Sequence, residues 1–202
     1  ILDIAANEKF VFSEVDDLGS IKTDHSYLKK HIDLILKLPL VDVEAIKKAQ
    51  FTIVVDAVNS TGGIFIPELL KALGVDNVKE LYCNPTGEFP HNPEPLPEHL
   101  RDLSELVIKE NANLGICVDP DVDRLALVCE DGSMFGEEYT LVAVSDYILK
   151  HNPGATVSNL SSTRALRDVT ESYNQKYTAS AVGEVNVVTA MKKTNAVIGG
   201  EG

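Results

Sequence analysis

Gly115-Ile116-Cys117-Val118-Asp119-Pro120-Asp121-Val122-Asp123-Arg124-Leu125-Ala126-Leu127-Val128-Cys129 is the stretch on which the reading of the fold turns. Residues 115–118 form a short apolar run of the buried-strand type, and Leu125–Cys129 resume that character before a turn at Asp131-Gly132. Between them stand three aspartates in strict alternation. On an extended or tightly looped backbone, side chains at i, i+2 and i+4 can be directed toward one point. Three ionised carboxylates so close repel one another, and a divalent cation removes that penalty. A donor set made only of oxygens suits Mg²⁺, Mn²⁺ or Ca²⁺ and not zinc. Two nearby aspartates at a strand end would ordinarily read as a solvated acidic turn. Three in alternation, followed at once by Arg124, read as a metal loop.

Two other aspartate-based sites fit less well. A calcium loop of the EF-hand kind carries acids at positions 1, 3 and 5, Gly at 6 and Glu at 12. Counting from Asp119, Glu130 falls in place, but position 6 is Arg124 and residues 125–128 are strand-like where a calcium loop must curl. A haloacid-dehalogenase-type phosphatase also uses aspartates after a strand. It places its nucleophilic aspartate near the N-terminus, whereas this loop lies mid-chain and has a third acid.

Outward from the loop, the chain alternates helices with short apolar strands. Residues 1–20 read as an opening strand and turn. Leu28, His31, Ile32, Ile35 and Leu36 have helical spacing with Asp24 as N-cap, and Pro39 ends that helix. A second helix covers Val43–Ala49. Then come strand 51–56, helix 64–73 closed by Gly74, strand 78–83, helix 100–112 and, after the metal loop, helix 137–150. His151-Asn152-Pro153-Gly154 breaks the chain and divides residues 1–152 from a second unit, 153–202. That unit reads as strand 156–160, helix 163–173, strand 176–181, helix 185–193 and strand 196–198. The pattern is α/β, with mixed sheets flanked by helices.

Charge narrows the partners. With 18 Lys+Arg against 31 Asp+Glu the net charge is −13, which argues against nucleic acid and against anionic membrane surfaces. Hydrophobic residues at 44% and charged residues at 24% exclude a disordered chain. Cys83, Cys117 and Cys129 show no CxxC spacing, and the histidines are scattered, so reduced thiols in a cytoplasmic protein are expected. No run approaches the roughly 18 apolar residues of a membrane span. The Gly62-Gly63 turn lacks the Lys of a Walker loop and the spacing of a dinucleotide fingerprint, so it reads as structural. The Pro-rich segment 85–97 reads as a surface connection.

Asp119-Pro120-Asp121-Val122-Asp123-Arg124 resembles the metal loop of the α-D-phosphohexomutases, Asp-Gly-Asp-x-Asp-Arg. Supporting segments follow in that family's order: Val55-Asp56-Ala57-Val58-Asn59-Ser60-Thr61-Gly62-Gly63, Ser161-Ser162-Thr163-Arg164, Ala181-Val182-Gly183-Glu184-Val185 and Gly200-Glu201-Gly202. The likeness covers nearly the whole chain and matches the family's second domain and the start of its third, so repeated α/β domains of phosphohexomutase type are implied. It also implies a phosphoglucomutase or phosphomannomutase that interconverts hexose 1- and 6-phosphates through a phosphoserine outside these residues. Asp119, Asp121 and Asp123 would hold Mg²⁺, Arg124 would meet the phosphoryl group, and Glu201 would accept hydrogen bonds from sugar hydroxyls. The partners implied are the hexose phosphate and the remaining domains of the polypeptide.

Pro120 departs from the usual Gly, and Glu184 stands where some members carry a His. No Ser-His-Asn phosphoserine loop occurs in the 202 residues, and the chain opens at Ile1 without Met. A central piece of a longer enzyme, inactive alone, is therefore expected. A stand-alone metal- or sugar-phosphate-binding module is the competing reading.

Overall fold

The computed structural model describes residues 1–201; Gly202, the last residue of the quoted sugar-loop segment, lies outside them. The first unit contains α1 (Leu2–Ala6), α2 (Tyr27–Ile35), α3 (Val43–Ala49), β1 (Thr52–Asp56), α4 (Gly62–Ala72), β2 (Asn77–Leu81), α5 (Arg101–Lys109), β3 (Leu114–Val118) and β4 (Leu125–Cys129). Then follow α6 (Glu137–His151), β5 (Thr156–Asn159), α7 (Ala165–Ser172), β6 (Tyr177–Ser180), α8 (Glu184–Thr194) and β7 (Ile198–Gly200). No helix among the described residues is long and apolar enough to cross a membrane.

Two sheets result. The first runs β2-β1-β3-β4, with β1 parallel to β2 and β3, and β3 antiparallel to β4. The second runs β6-β5-β7, all parallel. Strand β1 is buried on both faces, which is why it reads as a continuous apolar run. Its Val54 joins Leu100, Leu103 and Val107 of α5 and its lead-in, together with Cys117, Ala126 and Val128, on one face. Ile53 and Val55 point the other way and meet Leu70 of α4, Val75 and Ile46 of α3. Period-two alternation thus divides one strand between two cores.

Helix α3 has the bounds its sequence predicts: the Asp42 carboxylate accepts the Ala45 N–H at 2.9 Å, and Gln50 closes the helix in the left-handed region at φ 53°. Elsewhere the boundaries shift for local reasons. The opening segment is helix α1 and not a strand; with no neighbouring strand to pair with among the described residues, its hydrogen bonds are made locally, Ala5 N–H to Ile1 O at 2.9 Å among them. Asp24 does not cap α2. Its carboxylate accepts the Ser26 N–H at 2.8 Å, a turn completed before the helix starts. Strand β7 begins at Ile198 because residue 196 belongs to the exit of α8, where Ala196 N–H donates back to Met191 O behind a left-handed Asn195.

The parallel strands place their carboxyl ends at common edges, where crevices form in open α/β sheets. Asp56 ends β1 and Asp119 follows β3 at one edge; Asn159 ends β5 and Glu201 follows β7 at the other. Helix α6 packs against β4 of the first sheet and against β7 and α7 of the second unit.

Leu103 is fully buried, whereas Ile108 on the same helix is 55% exposed. Leu103→Ala is expected to lower the unfolding free energy by about 2–5 kcal/mol, and Ile108→Ala to change it by less than about 1 kcal/mol. Urea denaturation checks this, and equal midpoints for the two variants would contradict the assignment of the core.

Candidate functional site

Pairing of Val118 with Leu125 closes residues 119–124 into the connection between β3 and β4. Asp119 is 3% exposed, while Asp121 and Asp123 are open to solvent. One carboxylate oxygen of each lies within 4.8 Å of the others. The convergence has a backbone cause. Asp119 Oδ1 accepts the N–H groups of Asp123 and Arg124, each at 3.1 Å, which curls the loop around the first aspartate. Val122 takes φ 64°, a left-handed conformation rare for a β-branched residue and characteristic of sites that the surrounding fold holds in place. The all-oxygen donor set and its convergence suit a hard divalent cation, which these three carboxylates could hold.

The loop is braced from below. Ser60 Oγ and Thr61 Oγ1 both donate to the Pro120 carbonyl, at 2.6 and 2.9 Å. Thr61 is the N-cap of α4 yet makes no capping bond, because its hydroxyl donates to the aspartate loop. Gly62 and Gly63 permit this approach: a Cβ on Gly62 would press on the Val118 side chain, and one on Gly63 would run into the Cys83 backbone. The Gly-Gly turn is structural, and it seats the aspartate loop. Pro120, lacking an N–H, takes part through its carbonyl.

Arg124 lies across the loop. Its Nε is 3.6 Å from Asp119 Oδ2 and 3.9 Å from Asp123 Oδ1, and its Nη1 donates to Glu94 Oε1 at 3.1 Å. The side chain remains 55% exposed, so the pinning leaves guanidinium surface toward solvent. Glu94 belongs to the Pro-rich segment, which is therefore more than a surface connection. It forms a wall of the site and is anchored by a buried pair: His91 Nε2 lies 2.9 Å from Asp56 Oδ2, and His91 Nδ1 donates to the Asn92 carbonyl at 2.7 Å. A carbonyl only accepts, so Nδ1 carries a proton, and a second proton lies between Nε2 and Oδ2. Burial pushes the Asp56 carboxyl above its ordinary range, against the opposing pull of the Val58 N–H and His91.

Glu201 Oε1 accepts the Gly183 N–H at 2.6 Å and the Asn159 amide at 2.7 Å. A cavity of about 620 Å³ opens between the two sheet edges, lined by Glu94, Asp123, Arg124, Glu137, Ile198 and Glu201 among others. Of the sequence-predicted residues, Asp123, Arg124 and Glu201 thus share this cleft, Asp119 lines a smaller neighbouring one with Glu94 and Arg124, and Asp121 lines neither. Arg164, exposed at the start of α7, and Glu184, exposed at the start of α8, do not line the larger cleft. The cysteines are free: burial raises the Cys83 thiol to about 12 and pushes Cys117 up as well, so neither supplies a ready nucleophile.

Two α/β units thus carry an aspartate loop at the carboxyl edge of one sheet and an acid at the carboxyl edge of the other. Family models described as phosphoglucomutase/phosphomannomutase alpha/beta/alpha domain II and domain III match residues 29–132 and 136–202, and the chain belongs to the phosphoglucomutase/phosphomannomutase family. A phosphoglucomutase/phosphomannomutase of Thermococcus kodakarensis is 32% identical over 96% of this chain and 42% of its own length. A probable phosphoglucosamine mutase of Methanopyrus kandleri is 32% identical over 92% of the chain and 40% of its own. In fold, the chain resembles the crystal structure of a putative phosphomannomutase from Thermus thermophilus, with TM-score 0.79 at 23% identity over 91% of this chain and 42% of that one. The chain therefore spans about two fifths of the length of the relatives it matches.

Removing His91 strands a buried carboxyl. His91→Leu is expected to cost about 3–5 kcal/mol, and adding Asp56→Asn to recover part of that loss. Urea unfolding of the two variants checks the pair, and a near-neutral His91→Leu would refute its structural weight.

Proposed function

We propose that this chain supplies the second α/β domain, residues 1–152, and the start of the third, residues 153–202, of a Mg²⁺-dependent phosphohexomutase. The whole enzyme interconverts hexose 1-phosphates and hexose 6-phosphates, and its phosphoryl group is carried on a serine elsewhere in the polypeptide. The observation that supports this reading is the shared cavity, in which Asp123 and Arg124 of one unit face Glu201 of the other.

In this reading Asp119, Asp121 and Asp123 hold the cation. Bound there, it supplies charge neutralisation at the transferring phosphoryl oxygens. Arg124 offers a planar fork matched to phosphate oxygens, with Glu94 and Asp119 limiting its swing. Glu201 accepts hydrogen bonds from sugar hydroxyls and orients the ring. Phosphoryl transfer asks little covalent chemistry of the protein and much positioning, which suits a site assembled from two rigid sheet edges. Glucose, mannose and glucosamine phosphates, named among the relatives, are the hexose phosphates that this site would take. We place the protein in the cytoplasm, where its free thiols stay reduced.

The full-length polypeptide is expected to convert glucose 1-phosphate to glucose 6-phosphate or to act on its mannose or glucosamine counterpart. Activity should vanish with EDTA and return with Mg²⁺. Asp121→Asn is expected to lower kcat by about 100-fold or more, in line with the loss of a principal electrostatic contribution to the transition state. A coupled assay reads both effects, and full activity of Asp121→Asn would sink the metal role.

A further inference from the structure

Asn159 is 2% exposed at the carboxyl end of β5. Its Oδ1 accepts three donors: the Ser162 N–H at 3.0 Å, Ser162 Oγ at 2.8 Å and Ser161 Oγ at 2.9 Å. Its Nδ2 donates to Glu201 Oε1 at 2.7 Å. The amide can face only one way. A backbone N–H must meet an acceptor, so the carbonyl turns toward Ser162 and the NH₂ is left for the carboxylate. Gly183, just beyond β6, supplies the second donor to the same oxygen at 2.6 Å. The carboxylate that follows β7 is therefore tied to the residue that ends β5 and to one that follows β6. An exposed glutamate has flexible torsions, and these two bonds select one of its many orientations.

We propose that Asn159 is a positioning residue for the hexose site: it fixes the Glu201 carboxylate as a wall of the cleft and acts on substrate only through Glu201. The inference rests on the reading of Glu201 as the acceptor for sugar hydroxyls. No shorter or singly functional side chain meets both demands, since the position needs an acceptor toward the serine turn and a donor toward the acid. The Asn159 bond is also the largest reason that the Glu201 carboxyl titrates below its ordinary value, with the Gly183 N–H second.

The test is a double-mutant cycle in the full-length polypeptide, assayed with the hexose 1-phosphate it turns over. Asn159→Asp keeps the shape and the acceptor side while presenting an oxygen to Glu201. It is expected to lower kcat/KM by about tenfold to a hundredfold, the scale of a lost charge-assisted hydrogen bond, and to shift the acid limb of the kcat/KM profile to higher pH. In a Glu201→Gln background the same change should cost little more, because interacting residues are not additive. Asn159→Ser, uncharged and smaller, repeats the cycle without adding a carboxylate, and circular dichroism confirms that each variant is folded. Additive losses, or wild-type kinetics for folded Asn159 variants beside an impaired Glu201→Gln, would overturn the role of Asn159 and leave that of Glu201 standing. Unchanged activity of Glu201→Gln would overturn both.

Discussion

The mutual repulsion of Asp119, Asp121 and Asp123 is the constraint around which the first unit is built. Left alone, carboxylates within 4.8 Å of one another would spread apart. What resists the spreading is mostly backbone. Two N–H groups converge on Asp119, a β-branched residue is held left-handed at Val122, and two hydroxyls from another loop grip the Pro120 carbonyl. Each of these depends in turn on the buried strands β1 and β3 lying parallel and ending at the same edge. Strain concentrated in a loop and supported by a packed sheet is the expected arrangement where a fold must hold like charges ready for a cation.

The same constraint bears on how so acidic a protein could meet the anionic substrates proposed for it. A net charge of −13 repels a phosphate at long range, but at physiological ionic strength exposed charges beyond about 8 Å are largely screened. What matters is the local field, and there Arg124 stands over the aspartates with Glu94 and Asp119 fixing two of its edges. The buried Asp56–His91 pair extends this order to the Pro-rich segment that carries Glu94.

Much of this was legible in the sequence, and what was not has a common cause. The strand–loop–strand at 115–129 could be read because two short apolar runs flank a compact acidic turn, a pattern contained in the local sequence. The α/β alternation was legible for the same reason: buried parallel strands write themselves as short apolar runs. Glu94, His91 and Asn159 escaped because their roles lie in pairings across the chain. Glu94 meets a residue 30 positions away, His91 one 35 away and Asn159 one 42 away, and none carries a spacing that marks it. The opening segment was misread for the opposite reason: a local pattern suggested a strand, but no neighbour exists among the described residues to pair with it. Proline-rich composition likewise says that residues 85–97 are not regular structure and nothing about which wall they form.

The two sheet edges can cooperate only if their separation is fixed, and that task falls to α6. This helix packs on β4 behind the metal loop and on β7 ahead of Glu201. At its start Glu138 Oε2 accepts the Thr163 N–H at 2.8 Å, joining the helix to the turn that also seats Asn159. One turn further, Leu141 lies against Gly200, where an added Cβ would come within 3.2 Å of Leu141 Cδ1. The residue before Glu201 is thus seated directly on α6, with no side chain to act as a spacer. A side chain at position 200 would have to be met by a shift of a few tenths of an ångström, in Leu141 or in the strand that leads into Glu201. A misplacement of about 1 Å can cost roughly a hundredfold in a positioned reaction. Gly200 therefore matters to the site for the side chain it lacks, as Asn159 matters for the amide it holds.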